Sequence, residues 1–317
     1  MGKLKKITAK LLGNKLPEKD GNGLYASLDE LMYMRRYAGY LQNNRKIRSH
    51  SVQAGDIKSA FKGRGIEMEE IREYSFGDDI RDIDWRVTAR KEKPYTKVYL
   101  EERDHEIYVW LDLSPLMMFG STKELKAVTA CKIAALLGWV SLNNQDRFGC
   151  VIFDGKQSWL FKPKNDRGYL SAILKKIAEV SRGALENGEN SETERAKSLK
   201  LLLANVKGKA SVFLLSSFLG WGDSLDADIA ALSKKSRLFM VNIFDILEEK
   251  APAAGQYMAE YDGQKLIFES SSKVYRQEYG SYFAQKRKQR EAFCRQFGCR
   301  LINFSPEMSI VGGLKIF

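Results

Sequence analysis

Histidine is nearly absent: the 317 residues contain two, His50 and His105. A Ser–His or Cys–His nucleophilic unit needs one of them beside its nucleophile. No G-x-S-x-G elbow occurs, and no His pair stands at helical metal spacing. Cysteine is sparse as well. Cys131 and Cys150 lie in apolar stretches and read as small buried hydrophobes. Cys294 and Cys299 stand five apart with no nearby His, too few ligands for a zinc site. This usage fits a reducing, cytoplasmic setting without structural disulfides. No apolar run approaches the ~18 residues that span a bilayer. The closest, Val212 to Trp221, is interrupted by Ser216, Ser217 and Gly220. No apolar block of signal-peptide length follows the first lysines, so secretion is not expected. Lys62-Gly63-Arg64-Gly65 lacks the spacing of a phosphate-binding P-loop.

What is present is an ordinary globular mix, 44% hydrophobic and 29% charged, with a net charge of +12. The excess is local. Residues 1–50 carry +7 and residues 273–300 carry +6, so everything else sums to −1. Residues 3–12 put Leu4, Ile7 and Leu11 on one helical stripe beside Lys3, Lys6 and Lys10. That basic amphipathic segment is the expected contact with an anionic membrane surface. The run Lys286–Arg290 lies in a predicted helix and reads as a solvated face, which argues against nucleic acid.

Three regions are expected: a basic helical segment over 1–46, a turn-rich extended region over 47–104, and an α/β domain over 105–317 that ends in a basic helix. Ser27 is the predicted N-cap of a helix over 27–43, with Glu30 at the capping-box position. Glycines punctuate 51–104, and Tyr95 to Glu101 alternates as a strand. From Glu106 apolar strands alternate with helices. Strands are predicted at 107–111, 147–153, 159–161, 211–215, 238–244 and 300–304. The helices are expected at 122–142, 169–180, 196–206, 225–235 and 274–297, with 181–191 an exposed loop and 257–269 a hairpin. Such alternation predicts a mostly parallel sheet with helices on both faces.

Two places could carry chemistry. Residues 72–90 hold Asp78, Asp79, Asp82 and Asp84 among Arg72, Arg81, Arg86 and Arg90. Carboxylates at that density can bind a divalent cation and support a metal-dependent hydrolase. The interleaved arginines favour an ion-pair network instead, anchored by Ile83 and Trp85, because guanidinium forks fit carboxylates. The second place is Asp112-Leu113-Ser114 at the carboxyl end of the first apolar strand, where open α/β sheets bind ligands.

Gly55, Ser59, Gly63-Arg64-Gly65-Ile66-Glu67, Arg72-Glu73-Tyr74, Gly77-Asp78-Asp79-Ile80-Arg81-Asp82-Ile83-Asp84-Trp85 and Ala89-Arg90 resemble the signature of a bacterial family, domain of unknown function fifty-eight. Val98, Glu101-Glu102, Met117-Met118-Phe119-Gly120 and Asp146-Arg147-Phe148-Gly149 continue the likeness, which spans about residues 50–245. The resemblance implies a von Willebrand factor A-like domain and a non-enzymatic adaptor working with a MoxR-type AAA+ ATPase in protein maturation or remodelling. It also implies a place for a metal-ion-dependent adhesion site, D-x-S-x-S with a later Thr and Asp. Here Asp112 and Ser114 match that pattern. The third position is Leu116, and Ser217 replaces the later Asp. One carboxylate and one hydroxyl replace too little of the hydration shell of Mg²⁺, so no tightly held metal and no other cofactor is expected.

Overall fold

The computed structural model describes residues 23–39, 66–75, 78–91, 93–101, 105–186, 188, 190–208, 210–221, 225–261 and 264–310. The expected basic helix with Lys3, Lys6 and Lys10, the glycines at 55, 63 and 65, and Gly77 lie outside those residues. The chain divides into two compact units, one formed by 1–48 with 105–317 and one by 49–104.

In chain order, α1 spans Leu28–Tyr33, β1 Ile66–Glu73, α2 Trp85–Lys91, β2 Tyr95–Glu101 and β3 Glu106–Asp112. Next come α3 Lys126–Asn143, β4 Arg147–Phe153, β5 Ser158–Lys164, α4 Arg167–Gly183 and α5 Glu192–Asn205. The chain continues with β6 Ser211–Ser216, α6 Asp226–Lys235, β7 Arg237–Ile243, β8 Gln256–Tyr261 and β9 Gln264–Glu269. It closes with α7 Lys273–Phe297 and β10 Arg300–Phe304.

The larger unit is built on a six-stranded sheet in the order β10-β7-β6-β3-β4-β5. Every pairing is parallel except β4 with β5. Counted within the sheet, the strand order is 3-2-1-4-5-6, the doubly wound arrangement. The mostly parallel α/β sheet with helices on both faces is therefore present. Its reversed edge strand is a local hairpin. The Asp154 Oδ1 atom accepts from Lys156 N and Gln157 N at 2.9 and 2.8 Å, and Gly155 takes the turn position at φ +101°. Strand β5 runs past the expected 159–161, and Pro163 is tolerated there because an edge strand has a free N–H side.

Strand alternation sends β3 into two cores. Val109 and Leu111 join one with α1, α3 and α4, while Tyr108 and Trp110 join the other with α5 and α6. Both cores include fully buried aliphatics, so Leu111→Ala should cost about 2–5 kcal/mol. Helix α3 is buried almost all round, from Ala127 to Trp139. That burial requires cover on its outer side, and residues 23–39 supply part of it. The indole of Trp139 donates to Leu31 O at 3.1 Å, Ala26 N donates to Ser181 Oγ at 3.0 Å, and Leu125 N donates to Gly23 O at 2.9 Å. The Ser27–Glu30 capping box forms as the spacing predicts. Helix α4 continues to Gly183, so Ser181 is buried under α1 rather than opening an exposed loop.

At the end of α7, Gly298 adopts φ +67°, and both Gly298 N and Cys299 N donate to Cys294 O. This brings Cys294 and Cys299 together as free thiols, and Cys131 and Cys150 are also free. Among the described residues no helix is long and apolar enough to cross a membrane.

The smaller unit pairs β1 with β2 antiparallel. Between them lies α2, a helix where extended structure was expected. Its start is fixed locally: the Asp84 Oδ1 atom accepts from Arg86 N at 3.0 Å and Val87 N at 3.1 Å, the geometry of an N-cap.

Candidate functional site

In a doubly wound sheet the chain leaves strands 1 and 4 in opposite directions, which opens a crevice at their carboxyl ends. Here those strands are β3 and β6, ending in Asp112 and Ser216. Asp112 is buried, and both of its carboxylate oxygens have partners. Oδ1 accepts from Ser114 N at 2.9 Å and Oδ2 from Ser216 Oγ at 2.6 Å. Ser216 Oγ in turn accepts from Phe218 N at 3.1 Å, and Phe218 sits at φ +51°, strained for a bulky residue. Ser217 N points at Met117 Sδ, 3.1 Å away. Ser114 Oγ is buried without a hydrogen-bond partner. The crevice thus joins Asp112, Ser114 and Ser217, and the chain's own donors occupy its single carboxylate.

One participant was not anticipated from sequence. Arg290, in the basic run of α7, donates through Nη1 to Ser217 O at 2.8 Å and to Asn242 Oδ1. Burial pushes its guanidinium below the usual arginine range, and Glu248 partly opposes that shift. Its i+3 and i+4 neighbours along a 25-residue amphipathic helix were the available signal, since one face of such a helix must pack on the sheet. The loop leading into α3 is tied down beside this edge. Asp245 accepts from Ser121 N at 2.8 Å and from Ser121 Oγ, and Lys126 pairs with Glu248.

These residues do not fit a divalent cation. The donor set is one carboxylate already engaged twice, two serines and a leucine at the third position. Mg²⁺ demands near-octahedral oxygen ligation. No group of three metal-ligating side chains occurs among the described residues. Among the described residues no hydrolytic triad assembles either. His105 Nε2 lies 2.9 Å from Ser211 Oγ, at the amino ends of β3 and β6. Seven strand steps, about 23 Å at 3.3 Å each, separate it from Asp112.

In the smaller unit the structure brings together only part of the Asp–Arg cluster. Arg72 pairs with Asp78 at 2.7 Å, and Asp78 also accepts from Ser75 N at 2.9 Å. Tyr74 N donates to Pro94 O at 2.8 Å. Asp79 accepts from Arg81 N at 2.9 Å, and the Asp82 main-chain N donates to Asp79 O at 3.0 Å. Asp84 pairs with Lys97 at 3.5 Å. The Arg81, Arg86 and Arg90 side chains have no carboxylate partner among the described residues and are exposed. Trp85, expected as an anchor, is 67% exposed. Ile83 is half-buried and bridges Thr96. The Asp78, Asp79 and Asp84 carboxylates accept from separate backbone amides, and among the described residues no three such side chains form a common metal-ligating group.

A family model described as "Protein of unknown function DUF58" matches residues 70–291. The uncharacterized protein Rv1480 of Mycobacterium tuberculosis (strain ATCC 25618 / H37Rv) is 23% identical over 218 residues, which is 68% of this chain and 66% of that protein. The uncharacterized protein Mb1516 of Mycobacterium bovis gives the same figures. The match therefore spans just under two thirds of those relatives' own length. Among solved structures, BatB from Bacteroides thetaiotaomicron is 13% identical with a TM-score of 0.44, covering 67% of this chain and 95% of that one. The SpRpn10 VWA domain is 10% identical with a TM-score of 0.36, covering 66% and 92%. At those scores the fold class stands on the strand order itself.

Proposed function

The chain belongs to the DUF58 family, and from that premise we propose that it is a non-enzymatic, protein-binding adaptor of von Willebrand A type whose working partner is a MoxR-like AAA+ ATPase. The observation that carries the reading is the crevice at Asp112. At the edge where a doubly wound enzyme would place its ligand, Asp112, Ser216 and Arg290 are bonded to groups of the same fold, and Ser114 Oγ is buried without a partner. Asp112 and Ser216 join two strand ends, and Arg290 ties the loop after β6 to α7. Such an edge is a rigid platform for loops, which suits recognition of another protein better than turnover of a small substrate. The separation of His105 from Asp112 supports the same conclusion. We place the protein in the cytoplasm on the same reading.

The test is affinity purification of the tagged full chain from its native host under gentle conditions. An AAA+ ATPase should be recovered in near-stoichiometric amount, and its ATP hydrolysis should change when the purified chain is added back. Recovery of no ATPase, together with no effect on the hydrolysis of the host's MoxR-type enzymes, would remove the proposed partner.

A further inference from the structure

We propose that the exposed face of α2 carrying Trp85, Arg86 and Arg90 is a docking surface for an acidic segment of a partner protein. The inference rests on the protein-binding reading and deepens it by naming a surface and a partner chemistry.

Charge pairing divides the unit's described cations into two sets. Arg72, Lys93 and Lys97 are paired with Asp78, Glu73 and Asp84. Arg81, Arg86 and Arg90 have no carboxylate partner among the described residues, and Lys91 rests only on the Tyr95 ring, 4.8 Å from its centroid. Among the described residues of the unit, the exposed large apolar side chains are Ile80 at 64% and Trp85 at 67%, and Trp85 lies next to Arg86 in the chain. On α2 the spacing makes this a face: Trp85 and Ala89 are i, i+4 neighbours, as are Arg86 and Arg90, and all four are exposed. A single exposed apolar residue needs no explanation. A tryptophan beside two guanidinium groups that pair with no carboxylate among the described residues has the composition of a binding hot spot, where Trp and Arg are enriched.

The same charges choose the occupant. Such guanidinium groups beside an indole complement a segment that carries carboxylates beside an apolar side chain. A nucleic acid fits less well. Asp79 lies exposed on the same stretch, and residues 49–104 as a whole hold 11 basic and 13 acidic residues, so no broad positive field draws a polyanion. A second copy fits less well again, because a two-fold contact would set the arginines against themselves.

The experiment uses the full chain and fluorescence anisotropy with three probes: a labelled peptide of glutamates flanking a central leucine pair, its lysine counterpart, and a short labelled duplex DNA. The acidic peptide should bind, and the lysine peptide should not. Arg86→Glu combined with Arg90→Glu, and separately Trp85→Ala, should weaken the acidic peptide about tenfold or more. Lys286→Glu with Lys288→Glu on α7 should leave it unchanged. No binding of the acidic peptide, equal weakening by the α7 pair, or tighter binding of DNA would each overturn the proposal. Circular dichroism and the thermal midpoint check that each variant is folded, and Trp85→Phe, which keeps a ring at that position, should retain most of the binding. The two proposals fail separately. If the tagged Arg86/Arg90 variant still recovers the ATPase in full and the peptide does not bind, the adaptor reading stands without this surface. If wild type recovers no ATPase yet binds the acidic peptide through Trp85, the surface stands without that partner.

Discussion

The two units use charge in opposite ways. In the larger unit, cations near the sheet are buried against acids of the same fold. Lys132 is 4% exposed and lies between Glu124 and Glu30, and Lys126 is 1% exposed against Glu248. Those pairs join α1, the loop before α3 and the loop after β7, so charge there serves the architecture. In the smaller unit most arginines of the densest charged motif are exposed, and their side chains pair with no carboxylate among the described residues. The difference separates charge that holds a fold from charge left over for something else. It also shows that charge density in a sequence does not by itself say which of the two is present.

The strongest way to break the comparison is to remove a buried cation. Lys132→Met keeps the side-chain length and deletes the charge that Glu30 and Glu124 share. Breaking a buried pair from one side costs about 3–5 kcal/mol, because the remaining carboxylates stay out of water without their counter-ion. Urea unfolding should show that loss as a lower midpoint with an unchanged slope. A loss below about 1 kcal/mol would rank the pair with surface ion pairs and erase the contrast.

Next in size is Asp112→Ala. It strips the acceptor from Ser114 N and Ser216 Oγ, both buried, at about 1–3 kcal/mol for each orphaned group. Asp112→Asn should lose less, since its amide oxygen still accepts one of those bonds. Added Mg²⁺ should leave the thermal midpoint of the wild type unmoved. A rise with Mg²⁺ that disappears in Asp112→Ala would make Asp112 a metal ligand and overturn the structural role assigned to it.

Much of the larger unit was legible because its strands are short apolar runs bounded by polar turns, and its helices follow a 3.6-residue period. The capping box at Ser27 is equally local, two side chains and two amides three residues apart. What escaped depended on distant partners or on capping within a charged run. Helix α3 begins at Lys126 rather than at Thr122 because Leu125 N and Lys126 N are held by Gly23 O and Phe119 O. Helix α2 was hidden because arginine density suggested a paired loop, while one carboxylate, Asp84, was sufficient to start a helical turn. At the crevice, Asp112 and Ser114 were readable as a strand end. Arg290 was not, because its burial follows from how α7 packs on β7 and β10, and it looks the same in sequence as its exposed neighbours Lys286 and Lys288.

Substitutions on the exposed face should barely register in stability. Trp85→Ala and Arg86→Glu each belong to the class of surface changes that fall within about 0.5 kcal/mol. The same urea measurement decides it. A loss above about 2 kcal/mol for Trp85→Ala would mean that the indole is packed in the folded chain, and the unit's charges would then need to be reassigned to its own architecture.

The smallest effect tests the one carboxylate that the smaller unit uses for its fold at α2. The amide of Val87 is the largest influence holding the Asp84 carboxyl below its ordinary value of 3.8; desolvation opposes it, and the charge of Lys97 and the amide of Arg86 each add a smaller lowering effect. A carboxyl depressed in the folded state stabilises above its unfolded pKa, and that contribution disappears as pH falls through the folded value. The Val87 amide resonance should therefore stay constant from neutral pH down to the ordinary carboxylate range and titrate only below 3.8. In Asp84→Asn it should not titrate at that position at all. A midpoint at or above 3.8 would mean that Asp84 does not cap α2. Arginine does not titrate anywhere in this window. Mild acid short of the Asp84 midpoint should leave the cap intact, while it neutralises the glutamates of an acidic peptide. Peptide binding would then fall at a higher pH than the cap, and that order of events separates charge used within the fold from charge presented to a partner.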